Sequence, residues 1–251
     1  MFNPGAVRLQ FFTTKMNFVT GPDNIAAVWR SKGLDAKAVT CFSLKNFFET
    51  PDRAMKIYHA DNTGINPQPH GSDNILPKDR YYYLTRKNTV GFFNGPGLKH
   101  FGNRFGALLT QRISQLDLGT DWIEHEDLYA FIQKVLIGPA IEALCGPVLL
   151  EQSPTFVDDF WQFDIDMFHF FKGYPRWLAP RAWRTRTKIL NSLKNWHAFA
   201  RNNFDESCIE SDGHDRFYGS PLMRTRQEYL PKIDSLDADA LASQDLGLIW
   251  A

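Results

Sequence analysis

The stretch PTFVDDFWQFDIDMFHFF, residues 154–171, decides the fold class of this chain. Its apolar residues recur at spacings of three and four, the period of one face of an α-helix. They are Phe156, Phe160, Phe163, Met167 and Phe170. Trp161, Asp164 and Phe168 form a second surface, so aromatic rings surround much of the helix. We therefore predict a helix over 154–172 that is buried on more than one side or lines a cavity.

Similar patterns continue on both sides of this helix. They predict further helices near 98–116, 126–145, 181–204 and 237–251. Turn-rich segments separate these helices, among them CGPVLLEQSP (145–154) and KGYPRWLAP (172–180). In the last helix, Asp237 is placed to cap the first turn, and Leu241, Leu248 and Ile249 give a partly apolar face. The carboxyl-terminal two thirds of the chain are therefore predicted to be helical.

The amino-terminal part has a different pattern. Residues 7–20 alternate imperfectly and are rich in Thr, Phe and Val, which predicts one or two strands. Pro22 then begins a short helix that ends before Gly33. Residues 59–97 are rich in Gly, Pro, Asn and Asp, and they predict a long loop that acts as a lid or binding loop. The fold class is mainly α with a small N-terminal β region.

Composition limits the classes of function. The 251 residues carry 28 basic and 28 acidic side chains, so no global field favours nucleic acid or an anionic membrane. The three cysteines lie far apart, which argues against a disulfide framework and a zinc site. The first residues do not resemble a signal peptide, and no run of about 18 apolar residues predicts a membrane span. The 21 phenylalanines and 7 tryptophans indicate bulky packing or a large apolar pocket.

Motifs of common chemistry are missing from the sequence. The glycine-rich GFFNGPGLKH lacks the Ser or Thr that follows the lysine of a phosphate loop, and no histidine pair has metal-ligand spacing. We therefore assign no catalytic and no metal-binding residue. The segment YPRWLAPRAWRTRTK, residues 174–188, mixes five basic residues with aromatic ones. It fits a membrane-surface contact, an ordinary solvated surface or, against the neutral total charge, a nucleic-acid contact.

Three stretches resemble the middle helices of a cytochrome P450. They are DLYAFIQKVLIGPAIEALCGPVLLEQSPTFVDDFWQFD (127–164), GYPRWLAPRAWRTRTKILNSLKNWHAFA (173–200), and YGSPLMRTRQEYL with LDADALASQDLGLIWA (218–230 and 236–251). The resemblance extends from about Val7 to Ala251 and is greatest to fungal members near the sterol 7α-hydroxylase and prostacyclin synthase branch. It implies a partial P450 fold with the first sheet, helices B, C, E, F and G, and the beginning of helix I.

The resemblance also implies roles for individual residues. Where the family often has Trp-x-x-x-Arg in helix C to hold a haem propionate, this chain offers His100 and Arg104 at the same spacing. The loop at 59–97 becomes part of the substrate channel, and 173–180 becomes the F to G loop that rests on the membrane in microsomal members. The implied substrate contacts are Phe163, Phe170, Leu248 and Ile249, and the implied membrane contacts are Trp177 and Leu178.

Two P450 motifs do not occur in these residues, namely ExxR and the Phe-x-x-Gly-x-x-x-Cys loop that ligates haem iron. Residues 1–251 are therefore expected to be a single incomplete P450-like domain without the haem-ligand half, and inactive alone. The implied parent is a haem-thiolate monooxygenase of the endoplasmic reticulum membrane. It would take electrons from a P450 reductase and hydroxylate a lipophilic sterol or fatty acid. The alternatives are a stand-alone helical protein that binds an apolar ligand in an aromatic-lined pocket, and a nucleic-acid binder using residues 176–188.

Overall fold

The computed structural model describes residues 5–11, 14–31, 36–70, 75–116 and 126–250, together with 119, 122 and 124. The chain opens with an antiparallel hairpin of β1 (Ala6–Phe11) and β2 (Thr14–Val19). Ala6 pairs with Val19, and Leu9 pairs with Met16. The prediction of strands at 7–20 is thereby confirmed.

Eleven α-helices follow the hairpin in the described residues. They are α1 (Pro22–Arg30), α2 (Lys37–Asn46), α3 (Asp52–Ala60), α4 (Tyr81–Phe93), α5 (Pro96–Ser114), α6 (Leu128–Cys145), α7 (Pro147–Gln152), α8 (Phe156–Phe171), α9 (Pro180–Asn203), α10 (Pro221–Tyr229) and α11 (Ala238–Trp250). The helix at Pro22 and the five predicted carboxyl-terminal helices are confirmed. Proline at a first helical position fixes φ where no N–H hydrogen bond is needed. The starts of several of these helices could therefore be predicted from the sequence. Ala251, the last residue of the predicted 237–251 helix, lies outside the described residues.

The prediction of a long loop over 59–97 is wrong in part, because Tyr81–Phe93 forms α4. The tyrosines at its start are held by tertiary packing. Tyr81 is buried, and its ring meets that of Tyr58 edge to face at 4.4 Å between centroids. Such packing outweighs the weak helix propensity of aromatic and β-branched residues. Two further helices in the amino-terminal half, α2 and α3, were not predicted.

The predicted turn-rich break at 145–154 is also wrong in part, because it contains the short helix α7. Gly146 ends α6 with a φ of 79°, and Pro147 starts the next helix immediately. Gly219 comes very close to this junction: a Cβ atom on Gly219 would lie 2.1 Å from the Gly146 nitrogen. Only glycine fits there. The turn before α10 is thereby fixed against the end of α6.

The core is centred on α9, which packs against α7, α8 and α11. The stripe predicted for α8 is confirmed, since all five of its apolar residues are buried. The other side of α8 differs from the prediction: Phe168 is 67% exposed and Ile165 is 65% exposed. The helix is therefore buried along one face and open to solvent along another.

The last helix is buried over most of its circumference. The N–H of Ala240 donates to Asp237 Oδ1 at 3.1 Å, which confirms the predicted cap. Residues 240–246 are all buried, including Ser243, Gln244 and Asp245. Because buried polar groups need partners, the contacts of these three side chains define how α11 is held.

Among the residues that the structure describes, one helix, α6, is long and apolar enough to cross a membrane by length and composition. No such span was predicted from the sequence. Part of α6 packs into the protein core, including Val135, Ile141 and Cys145. A core helix can meet the same criteria, so this feature is weak support for a span.

Candidate functional site

Arg104 and His100 lie one turn apart on α5, as their spacing predicted. The guanidinium of Arg104 is ion-paired with Glu210 and with Asp212, whose Oδ2 is 3.2 Å from Nη2. Partial burial alone would lower the pKa of Arg104, but these carboxylates raise it above its ordinary value. His100 lines a cavity of about 720 Å³ between α4, α5 and residues 211–213. Both residues thus face the segment that precedes α10.

A haem propionate at Arg104 would compete with two carboxylates already bound there. The propionate contact of His100 and Arg104 stays a prediction. The aromatic-x-x-x-Arg spacing also occurs in α4, with Tyr82 in place of tryptophan and an exposed Arg86. This pair was missed because its segment was predicted as a loop.

A buried histidine joins the same region to α6. His214 is 1% exposed, and its Nε2 is 2.6 Å from the Ala143 carbonyl, while Nδ1 is 3.8 Å from Asp212. Burial lowers the pKa of His214 below its ordinary 6.5, and the nearby charge of Arg104 acts in the same direction. The hydrogen bond to Ala143 and the charges of Asp212 and Glu210 only partly oppose this effect.

We expect the folded state to lose stability as pH falls below 6.5, because the unfolded chain then binds a proton that buried His214 resists. The stabilisation is complete above 6.5 and disappears as pH falls through the lowered pKa. Urea unfolding at about pH 7.5 and pH 5.5 measures it, and His214→Gln should reduce the difference. His59→Gln, at an exposed histidine, is the control. If the free energy of unfolding changes between the two pH values as much in His214→Gln as in the unmodified chain, that result contradicts the assignment of this pH dependence to His214.

The predicted substrate contacts of α8 lie in an aromatic cluster. Phe163 is fully buried, with ring centroids 6.3 Å from Phe48 and 6.0 Å from Phe170. Trp250 of α11 adds a ring 6.0 Å from Phe48, and its Nε1 donates to Asp164 at 2.9 Å. The end of α11 therefore packs against the same aromatic cluster as α8, through Trp250.

Leu248 and Ile249 are partly buried and pack against this core. Near the other end of the cluster, the Arg186 guanidinium lies 4.3 Å above the rings of Phe170 and Trp183. Burial lowers the pKa of Arg186, and the ion pair with Glu49 opposes that shift. All four predicted substrate contacts pack against other side chains of this chain. Substrate contact at Phe163, Phe170, Leu248 and Ile249 stays a prediction.

A buried polar cluster holds α9, α10 and α11 together, and the sequence did not reveal it. Asp245 is fully buried, and Arg226 Nε donates to its Oδ1 at 2.8 Å. Its Oδ2 accepts from Gln227 at 2.7 Å and lies 2.9 Å from His197 Nε2. Burial alone would raise the pKa of Asp245, but Arg226 and His197 hold it below its ordinary value. Beside it, the Tyr81 hydroxyl of α4 donates to Gln244.

The loop between α8 and α9 presents the two predicted membrane contacts to solvent. Trp177 is 79% exposed and Leu178 is 44% exposed. The neighbouring Ala179 is buried, so the loop is fixed at its base while the two large side chains point outward. Their contact with a membrane stays a prediction.

The three cysteines are free thiols. Cys145 is completely buried, and burial raises the pKa of its thiol well above the ordinary value. Cys41 is buried beside Tyr82, whose hydroxyl is 3.4 Å from Sγ. Both sulfurs are enclosed by protein, and neither belongs to a Phe-x-x-Gly-x-x-x-Cys loop.

Three curated fungal proteins are similar to this chain, and all are named cytochrome P450 monooxygenases. The chain is 36% identical over 132 residues to fsoE of Humicola fuscoatra, covering 52% of this chain and 23% of that protein. It is 29% identical over 252 residues to efuG of Hormonema carpetanum, covering 98% of this chain and 42% of that protein. It is 24% identical over 230 residues to calL of Penicillium decumbens, covering 87% of this chain and 41% of that protein.

The chain thus spans less than half the length of these curated relatives. No family model matches it, and no solved structure matches it significantly. The mostly helical fold with one small sheet is consistent with a P450-like fold. All three similarities are thus to proteins named cytochrome P450 monooxygenases, and one of them extends over 98% of this chain.

Proposed function

We propose that these residues are the N-terminal portion of a haem-thiolate P450 monooxygenase that oxidises a lipophilic substrate. The observation that carries the proposal is the similarity to a P450 monooxygenase over 98% of this chain. In this proposal the hairpin and the helices correspond to the first sheet, helices B, C, E, F and G, and the beginning of helix I. The finer placement near the sterol 7α-hydroxylase branch rests on sequence resemblance alone.

Bound haem would supply the oxygen chemistry, with electrons from a P450 reductase. Residues 1–251 contain no Phe-x-x-Gly-x-x-x-Cys ligand loop, so this chain alone is proposed to be inactive. Its own contribution would be to shape the substrate cavity. A sterol or a fatty acid suits the aromatic region around Phe163 and Phe170 because such ligands are bound mainly by apolar contacts.

Sequencing the transcript past codon 251 tests this proposal directly. We expect the reading frame to continue into an ExxR motif and a Phe-x-x-Gly-x-x-x-Cys loop. A stop codon directly after Ala251 would contradict the proposal and favour a stand-alone protein that binds an apolar ligand.

The proposal includes a peripheral contact with the endoplasmic reticulum membrane through Trp177 and Leu178. Replacing both with Ser should weaken association of the folded chain with phosphatidylcholine vesicles at least about tenfold, because partial burial of two such side chains stabilises binding by a few kcal/mol and each 1.4 kcal/mol is about tenfold in affinity. Co-sedimentation measures the association. Val39→Ser with Leu128→Ser, two exposed apolar residues elsewhere, is the matched control. Equal losses in the two double variants would indicate an ordinary exposed loop.

A further inference from the structure

The buried side chain of Arg186 carries hydrogen-bond donors that the protein does not use. Arg186 is 1% exposed, and its Nε donates to Glu49 Oε2 at 3.1 Å, while its Nη1 donates to the Asn46 carbonyl at 2.7 Å. A guanidinium has five N–H donors in a planar fork, and two of them are on Nη2. Among the described residues, none accepts a hydrogen bond from Nη2 of Arg186. A buried charged group that keeps donors without an acceptor needs an explanation.

A second donor without an acceptor lies beside this guanidinium. The guanidinium carbon of Arg186 is 4.3 Å from the centre of the Trp183 ring. Trp183 Nε1 is buried and makes no hydrogen bond with the part of the chain that the structure describes. Glu49, the ion-pair partner of Arg186, has a φ of 59° and is the one described residue other than glycine with a positive φ. Backbone strain of this kind concentrates at ligand sites.

The charge of Arg186 is only partly compensated. Among the carboxylates of the described residues, Glu49 alone is ion-paired with Arg186, and its side chain is 43% exposed, so solvent weakens the pair. Burial lowers the pKa of Arg186 even though Glu49 opposes that shift. Arg104 differs, because it is ion-paired with both Glu210 and Asp212 and its pKa is raised. A second carboxylate at Arg186 would give the same arrangement.

The free donors border the aromatic cluster of α8. The Arg186 guanidinium carbon is 4.3 Å from the centre of the Phe170 ring, and that ring is 6.0 Å from the ring of Phe163. On its other side the guanidinium meets the exposed Glu49. Arg186 therefore lies between the aromatic cluster and solvent. An acid group bound to Arg186 would leave an attached apolar chain against Phe170 and Phe163.

We propose that Arg186 binds the carboxylate of a lipophilic carboxylic acid and thereby selects fatty-acid-like ligands over neutral sterols. The inference rests on the proposed function and narrows its substrate class. Nη2 of Arg186 and Nε1 of Trp183 supply the donors, and a charged acceptor makes the strongest hydrogen bonds with a guanidinium. A carboxylate suits the site better than a phosphate dianion, because the neighbouring Glu49 repels the second negative charge.

Fluorescence titration of the full 251-residue chain with cis-parinaric acid and with its methyl ester tests the inference. The two probes share one apolar chain and differ in charge. Because hydrogen bonds to a charged group strengthen binding about tenfold or more, we expect the acid to bind at least about tenfold more tightly than the ester near pH 7.5. In Arg186→Met this preference should disappear, while the ester binds as before.

Further variants separate ligand binding from support of the fold. Glu49→Gln removes the competing carboxylate and keeps the size of the side chain, so it should strengthen binding of the acid several-fold. If Arg186 served packing alone, loss of its ion pair would not strengthen that binding. Trp183→Phe removes one N–H and should lower the preference for the acid a few-fold. The matched control is Arg184→Met, at an exposed arginine of the same helix, and it should leave the preference unchanged.

Helical circular dichroism and urea unfolding check that each variant is folded. If Arg186→Met does not fold, Glu49→Gln carries the test, because it leaves the guanidinium in place and predicts tighter binding of the acid.

Three results would overturn the inference. They are equal affinity of the unmodified chain for the acid and the ester, a preference lost equally in Arg186→Met and Arg184→Met, and weaker binding of the acid to Glu49→Gln. Each leaves the proposed oxidation of a lipophilic substrate standing, since a neutral ligand still fits the aromatic region. Failure to bind either probe would remove both the inference and the ligand role of that region, whereas the transcript sequence tests the monooxygenase relationship independently.

Discussion

Asp245→Ala should destabilise the folded chain by about 3–5 kcal/mol, because it leaves the Arg226 guanidinium buried without its counter-ion. Arg226 is 1% exposed, so solvent cannot compensate the lost carboxylate. A loss of that size is a large part of the roughly 5–15 kcal/mol that stabilises an ordinary domain. Urea unfolding followed by helical circular dichroism measures the change.

A double variant separates the ion pair from simple loss of packing. Asp245→Leu with Arg226→Met removes both buried charges and keeps apolar volume, so it should be less destabilised than the sum of the single variants. The matched control is Asp239→Ala, which lies on α11 like Asp245 and forms an exposed ion pair with Lys194 of α9. It should lower the free energy of unfolding by under about 1 kcal/mol. If Asp245→Ala costs no more than Asp239→Ala, the cluster does not stabilise the packing of α9, α10 and α11.

The contrast between this cluster and α8 shows what sequence alone could predict. In α8 the apolar residues repeat with helical spacing and one buried face follows directly from that period. The partners of Asp245 come from two other helices, α9 and α10. His197 lies 48 positions earlier, and Arg226 lies on a short helix whose sequence, PLMRTRQEY, is mostly polar. No local pattern in this sequence predicts that Arg226 is buried, so neither α10 nor the cluster was predicted.

The amino-terminal half was predicted less well for a related reason. The helix α4 contains three consecutive tyrosines, two threonines, a valine and a glycine, which have weak helix propensity. Its formation depends on contacts such as the one between Tyr81 and Tyr58, which are distant in sequence. Because α4 was predicted as loop, the spacing of Tyr82 and Arg86 went unnoticed. The loop of Trp177, by contrast, was predicted because prolines at both ends mark its boundaries.

Phe163→Ala should destabilise the chain by about 3–5 kcal/mol, since it removes a fully buried ring and leaves a cavity between Phe48 and Phe170. Phe168→Ala on the exposed face of the same helix is the control, and it should change the free energy of unfolding by no more than about 0.5 kcal/mol. Urea unfolding measures both. Equal effects at the two positions would contradict the burial of Phe163.

Stability alone cannot distinguish a core residue from one that also contacts substrate, and Phe163 was predicted to do the latter. Phe163→Leu keeps an apolar side chain and should cost much less than Phe163→Ala, so it leaves a folded protein for ligand binding. If Phe163 borders the substrate cavity, this variant should alter the affinity for a fluorescent fatty acid several-fold, since one or two methylene contacts are worth about 1–3 kcal/mol. An unchanged affinity would make Phe163 a packing residue only and would leave Phe170, Leu248 and Ile249 as the predicted substrate contacts, of which Leu248 and Ile249 are less buried.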